Sequence, residues 1–550
     1  MTGRASRLLP QRIKMQNRET AAGQESLKRT FSKSPQFYKL TKTLFSIRLI
    51  VIFILFASGV HLAFSQENPL GQFDGHGDIG SPAIFGSASY NATNQDYTLT
   101  GGGINMWGTN DQFHFLWKKI KGDFIVRARM EFVGKGVEEH RKAGWMVRES
   151  LDSNAPYVDA VEHGVGLTSL QYRRVQGTNT AQFVMSITNA DVIQFERRGS
   201  NYIFSAARHG EHFISTNFSN IALPDDAYVG LFICSHNTKV KEEVIFHDVR
   251  IIRPAKEGFV PYKDFIGSVL EILDVQSGRL EMIHRSAQPF EAPNWTRDGS
   301  ALIYNISGRA EGWGRLARFD LATRQQSLID TGFANRNNND HILSFDGTML
   351  GISDQSADHG GQSAVFTVPV GGGTPKQITP LMPSYLHGWS PDGKFLVYAG
   401  RRDGKFDINK IPSQGGKEIR LTGASGSSDG PEYTPDGKYI YFNSTRSGKM
   451  QIWRMKPNGE KPEQVTNDEY NNWFPHISPD GEWIEFISFP EDIDPKDHPY
   501  YKQVYLRLMP IKGGTPRIIA YVYGGQGTIN VPFWSPDGRK LAFVSNTGME

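Results

Sequence analysis

One short phrase, returning six times between residues 294 and 544, constrains this chain more than anything else in it. Its copies read NWTRDGSALIYN (294–305), ILSFDGTMLGIS (342–353), GWSPDGKFLVYA (388–399), EYTPDGKYIYFN (432–443), HISPDGEWIEFI (476–487) and FWSPDGRKLAFV (533–544). Their Asp-Gly pairs begin at 298, 346, 392, 436, 480 and 537, so the spacings are 48, 46, 44, 44 and 57 residues. In each copy an apolar segment enters, a turn reverses it, and an alternating strand such as Lys394-Phe395-Leu396-Val397-Tyr398 leaves. Pro391 suits the second position of a type I turn, and Gly393 takes a backbone shape that a side chain opposes. The turn Asp residues read as acceptors for nearby N–H groups, not as catalysts. A period in the forties built only from short strands is the pattern of propeller blades.

The outer half of each blade follows its phrase. LARFDLATRQQSLI (316–329), FTVPVGGGTPKQIT (366–379), INKIPSQGGKEIRLT (408–422), QIWRMKPNGEKPEQVT (451–466) and VYLRLMPIKGGTPRII (504–519) have the hairpin pattern. The sixth phrase has no such partner after it, but an unmatched pair, SVLEILDVQSGRLEMIH, stands upstream at 268–284. These segments are expected to close a six-bladed ring by joining its two ends, which removes the exposed edges.

The SPDG phrases with their IWRM-like strands resemble the TolB-type, WD40-like propeller repeats also called PD40. The resemblance covers about 265–550 and implies a fold more than a function. Propellers of this kind occur in the periplasmic translocation protein TolB, beside hydrolase domains in prolyl-oligopeptidase-like enzymes, and in oligogalacturonate lyases.

Residues 1–65 read as a basic leader and signal peptide. Lys39, Lys42 and Arg48 lead into the apolar run 49–62, and Ala63-Phe64-Ser65 offers small residues before a cleavage site at Gln66. The run is shorter than the roughly 20 residues that span a bilayer. If uncleaved it would be an inner-membrane anchor, the only membrane contact expected, and Met15 is an alternative start. The leader holds 11 Lys/Arg against two Asp/Glu, so without it the formal net charge of +3 becomes −6. The basicity therefore belongs to the leader and does not point to nucleic acid. The lone Cys234, in the apolar run LFICS, reads as a buried free thiol. A periplasmic or secreted bacterial protein is expected.

Residues 66–254 carry ten strand candidates and no helix of useful length, which predicts a jelly-roll sandwich. They are 96–102, 113–119, 123–132, 142–150, 157–164, 168–175, 181–188, 202–209, 227–235 and 244–252. The segments GDFIVRARMEF, AGWMVRES and AYVGLFICS with VIFHDVRI resemble the concanavalin-like, laminin-G-like family labelled DUF1349, whose members are regarded as carbohydrate-binding or accessory modules. Residues 255–264 read as a short linker, and 265–550 as the propeller. The expected fold class is all-β.

Counting back from each turn Asp gives equivalent positions around the ring. The resulting channel-mouth candidates are Glu291, Asp340, His341, His387, Asp429, Glu432 and His476. Neutral His beside carboxylate suits a divalent metal such as Mn²⁺ or Zn²⁺, with His341, His387 and His476 as its candidate ligands. No cofactor is required by any motif. In the sandwich, Trp107 offers a stacking ring and Arg148, Glu149 and His163 offer orienting groups for a sugar. The insertion 489–503 predicts a surface loop over one mouth, with His498, Tyr500 and Tyr501 as contact residues.

No G-x-S-x-G elbow, H-E-x-x-H motif, paired-Cys ligand set or dinucleotide fingerprint occurs. The leading expectation is therefore an exported cell-envelope binding protein, not an enzyme, that recognises polysaccharide, an envelope protein partner or both. The alternatives are a metal-assisted polysaccharide lyase or glycoside hydrolase at the channel mouth, and a Tol-like periplasmic scaffold.

Overall fold

The six turns are built alike. In each, the Asp carboxylate accepts a hydrogen bond from the Ser or Thr hydroxyl two residues before it, from Thr296→Asp298 (2.6 Å) through Ser390→Asp392 (2.7 Å) to Ser535→Asp537 (2.5 Å). The Lys394 N–H also donates to Asp392, and the Ser390 hydroxyl with this N–H holds the Asp392 carboxyl down to about 2. The following Gly residues have φ between 69° and 73°, a left-handed conformation that explains their invariant place in the phrase.

A computed structural model describes residues 68–549 except 261–262, 308–313, 356–359 and 424–425. The leader, its apolar run and the cleavage site lie outside the described residues. Each of five turns joins the two inner strands of a four-stranded antiparallel sheet. Blade 1 runs from Phe290–Trp295 to Gln326–Leu328, blade 2 from Asn337–Leu343 to Lys376–Gln377, and blade 3 from Ser384–Trp389 to Ile419–Arg420. Blade 4 runs from Ser428–Tyr433 to Glu463–Gln464, and blade 5 from Asn471–Ile477 to Arg517–Gly524. Blade 6 joins the two ends of this half: Gly267–Asp274 pairs with Lys540–Thr547 on one side and Leu280–Ser286 on the other. Its innermost strand is reduced to the bridge Trp534↔Leu541.

Neighbouring blades pack through apolar clusters. Leu386, Trp389 and Tyr398 of blade 3 meet Ile342 and Val365 of blade 2, and the Trp389 indole N–H donates to the Ile342 carbonyl at 3.1 Å. Trp534 repeats that bond to the His476 carbonyl at 3.3 Å.

Upstream, two seven-stranded antiparallel sheets share one core around Trp145, Phe195, Phe204 and Leu231. One is ordered Gly75–Ile79, Phe113–Lys121, Asp226–Cys234, Lys142–Arg148, Tyr157–His163, Leu167–Arg173, Ala181–Thr188. The other is ordered Ile214–Phe218, Asn201–Ala207, Val192–Arg198, Phe124–Phe132, Asn237–Ile252, Asp96–Gly103, Ser87–Asn91. Four of these strands escape the sequence pattern. Gly75–Ile79 and Ser87–Asn91 are short edges without apolar alternation, Ile214–Phe218 is a third edge, and Val192–Arg198 carries Gln194, Glu196 and two Arg in a paired interior strand. Cys234 is buried and unpaired, and burial pushes its thiol up to about 11.

Both halves belong to one compact unit. Arg250 pairs with Glu271 at 2.6 Å, and three tyrosine hydroxyls of blade 5 bind backbone: Tyr501 to the Ile266 N–H, Tyr523 to the Ala255 N–H and Tyr505 to the Phe213 N–H.

Candidate functional site

The innermost strands of blades 1 to 5 do not run straight into their turns. Each shifts register against its neighbour, at Glu291/Asn294, Asn337/His341, Leu386/Gly388, Asp429/Glu432 and Trp473/His476. In three blades the residue at the shift has a left-handed backbone: Ala292 (φ 57°), Gly430 (57°) and Phe474 (52°). An extra residue at such a bulge re-aims every side chain before it. The residues seven before the turn Asp consequently face the channel, except Trp473, which packs in the core.

Five of those six, Glu291, Asn339, Tyr385, Asp429 and Asn530, line a cavity of about 880 Å³ at the mouth. Asp340 and His387 join them, as do Arg336, Asn338, Phe406, Phe474 and Gln526. Asn305 and Ser307 add polar groups, and the 489–503 insertion supplies His498 and Tyr500.

The centre of the mouth is an ion pair, His387 Nε2 to Asp429 Oδ1 at 3.1 Å, with the imidazole stacked on Phe474. Burial alone would lower the His387 pKa, but Asp340 and Asp429 outweigh it and the net shift is upward. Burial works the other way on Asp429, where the His387 partner prevails and holds the carboxyl low. Two further carboxyls, Glu291 and Asp340, make no direct ion pair among the described residues. Glu291 accepts from Asn339 Nδ2 (2.9 Å) and the Tyr500 hydroxyl (3.2 Å), and burial pushes it up to about 7. Asp340 is pushed up to about 7 by burial, opposed by His387 and reinforced by Asp429. The mouth thus sets a His387–Asp429 pair, in which both shifts favour the charged forms, beside two carboxyls that burial raises to about 7.

That arrangement has a stability signature. A buried carboxyl whose folded pKa is raised binds a proton in the folded state that the unfolded chain has lost, so stability falls as pH rises from about 4 to about 7. For Glu291, raised from 4.5 to about 7, the fall is on the order of 3 kcal/mol. Glu291→Gln is expected to match wild type at pH 4 and exceed it by about 1–3 kcal/mol at pH 8 in urea unfolding. Equal stability of the two proteins at pH 8 would contradict the burial of an unpaired carboxyl there.

Three of the channel candidates are corrected. His341 is fully buried with Nε2 donating to the Ile303 carbonyl at 3.1 Å, and burial lowers it to about 4. His476 has both nitrogens engaged, Nδ1 with Glu432 Oε2 at 2.7 Å and Nε2 with the Ile529 carbonyl at 2.5 Å. Glu432 is spent on that contact and on the Ile477 N–H. All three lie beyond the bulge, where side chains turn between blades. The residues therefore do not fit a His341–His387–His476 metal site, since only His387 reaches the cavity and it is already paired. Among the described residues no group of three or more His, Cys, Asp or Glu is arranged to hold a metal ion.

The sugar-binding candidates divide in the same way. Trp107 is 42% exposed, with the Lys142 ammonium 5.7 Å from its ring, and Glu149 is exposed. Arg148 is corrected: it is wholly buried, donating to the Ser150 and Asp152 carbonyls and lying 3.6 Å from Asp111. His163 is also buried, and desolvation lowers it to about 3. Loop residues 104–111 cover this sheet face, which strand-end reasoning does not foresee.

The insertion walls the mouth. His498 packs edge-on to Trp473, while Tyr500 and Tyr501 are buried. Sequence reasoning also missed Arg336, Asn338, Phe406 and Gln526. The Asn run at 337–339 was the visible signal for blade 2.

Comparison with known proteins places these observations. Residues 382–494 match the TolB beta propeller domain family. An uncharacterized Agrobacterium fabrum protein, Atu1656, is 44% identical over 278 residues, covering 50% of this chain and 92% of the relative. A solved structure from Agrobacterium tumefaciens with a provisional TolB name is 42% identical, covers 52% of this chain and 100% of its own, and has a TM-score of 0.49. TolB from Acinetobacter baumannii is 17% identical over 47% of this chain and 64% of its own, with a TM-score of 0.37.

Proposed function

We propose that this chain, which belongs to the TolB β-propeller family, is an exported binding protein of the bacterial cell envelope that takes a saccharide at the propeller mouth. The observation that carries this reading is the composition of the mouth. Tyr385 and Phe406 offer ring faces, while Asn338, Asn339 and Gln526 offer amide groups in one cavity of about 880 Å³. Rings stack on the apolar faces of sugars, and amides and carboxylates hydrogen-bond their hydroxyls. In this reading residues 66–254 form a concanavalin-like jelly-roll module, 255–264 the linker and 265–550 the propeller. The module would add a second, weaker polysaccharide contact near Trp107. Two weak sites on one polymer bind more tightly than either alone.

The test is a panel of neutral and acidic oligosaccharides, followed by calorimetry on the best binder. Tyr385→Ala and Asn339→Ala are each expected to weaken binding about tenfold or more, a loss of about 1.4 kcal/mol. Unchanged affinity in both variants would remove the mouth from the account. Product formation on the same panel would instead favour a glycoside hydrolase, with Asp340 as the protonated acid and Asp429 as the ionised carboxylate.

A Tol-like periplasmic scaffold is the second reading, favoured by the family itself. It expects no saccharide binding and capture of an envelope protein that His387→Ala reduces.

A further inference from the structure

A small cavity of about 20 Å³ lies where the upstream sheets meet the propeller, lined by Arg127, Arg129, Arg250, His209, Asp248, Glu271 and the blade 5 residues Ile519 to Tyr521. Its charges do not balance. Glu271 is taken by Arg250 at 2.6 Å and accepts from the Ser545 hydroxyl, and Asp248 is shared with Arg129 at 3.4 Å. His209, at the solvent edge of the cavity, is shifted down by burial and by the neighbouring Arg129, so it supplies no counter-charge. Arg127 is left over. It is 7% exposed, and among the described residues its hydrogen bond is one long contact, Nη1 to Gln194 Oε1 at 3.3 Å.

A guanidinium has five N–H donors and keeps its charge. Burying it with one long acceptor, and with Glu271 and Asp248 near enough to attract it but already paired to Arg250 and Arg129, is costly; burial plus the neighbouring Arg250 lowers Arg127 to about 10 without discharging it at pH 7. A neutral water would accept one or two of its bonds and leave the charge uncompensated. A sulfate or phosphate exceeds the space, whereas a cavity of roughly 10–15 Å³ or more admits one water-sized species.

We propose that this cavity is a site for one halide-sized monovalent anion, chloride in the cell, held by the Arg127 guanidinium. The anion joins Phe124–Phe132, which carries Arg127, to Gly267–Asp274 and Arg517–Gly524 of the propeller. It is independent of the channel mouth and does not rest on the saccharide reading.

The direct test is a crystal of the full chain grown in sodium bromide, with data collected at the bromine absorption edge. One anomalous peak in contact with Arg127 is expected. In solution, replacing sodium gluconate by sodium chloride at constant ionic strength should raise the melting temperature saturably by about 2–3 °C, because an anion bound only to the folded state stabilises it. Arg127→Met should abolish the chloride dependence while leaving saccharide binding at the mouth unchanged. If Arg127→Met does not fold, the bromide map of the wild type decides alone. Absence of a peak there, or equal melting in chloride and gluconate, would mean a water-filled cavity only and would overturn the proposal.

Discussion

Stopping the chain at Arg539 is expected to abolish the folded propeller. The lost segment supplies Lys540–Thr547, which pairs residue for residue with Gly267–Asp274 from Gly267↔Thr547 to Asp274↔Lys540. Its side chains also bridge two cores. Leu541 and Phe543 sit in the cluster with Leu273 and Trp534, and Ala542 and Val544 sit in the cluster with Leu270 and Tyr304. All four are at most 1% exposed. Burial of Leu, Phe and Val side chains contributes about 1.5–3 kcal/mol each, so their removal costs on the order of 6 kcal/mol before any lost backbone pairing. That is comparable with the roughly 5–15 kcal/mol stability of a whole domain. Two open edges would also template aggregation. A soluble truncated chain melting within a few degrees of wild type would contradict ring closure as a main source of stability.

Asp111→Ala is expected to be the most damaging single substitution among the upstream sheets. Arg173 makes two parallel bonds to the Asp111 carboxylate, at 2.8 and 2.7 Å, and Arg148 lies 3.6 Å from it. All three side chains are wholly buried, and each guanidinium also rests against a ring, Arg148 on Phe113 and Arg173 on Tyr157. Removing the carboxylate strands two cations in a low-dielectric interior, which costs about 3–5 kcal/mol. Arg173→Met removes one cation and leaves the Arg148–Asp111 pair, so it should cost less. Urea unfolding of both variants checks the order. A loss under about 1 kcal/mol for Asp111→Ala would mean that water reaches the pair.

The legible parts of this protein are the local ones. The six turns were readable because Ser390, Asp392 and Gly393 and their counterparts satisfy one another within six residues. Ring closure was readable because a hairpin pattern at 268–284 stood unmatched. The channel was only half readable. Counting back from each turn Asp places His341 and His476 with Glu291 and His387, but the bulges near residues 292, 430 and 474 re-aim the strands, a backbone event that side-chain alternation does not encode. His341 and His476 therefore pack between blades while Asn339 and Tyr385 reach the mouth. Arg148 failed for a different reason: its partner Asp111 comes from a covering loop 37 residues earlier in the chain. Long-range pairing of a buried charge leaves no local mark.

The measurement that bears most directly on the account is a crystal structure of the protein with the tightest-binding saccharide of the panel. The account predicts density in the propeller mouth, with hydroxyls on Asn339, Glu291 and Asp429 and a sugar face against Tyr385 or Phe406. Density confined to the sheet face beside Trp107, with the propeller mouth holding only solvent, would contradict it.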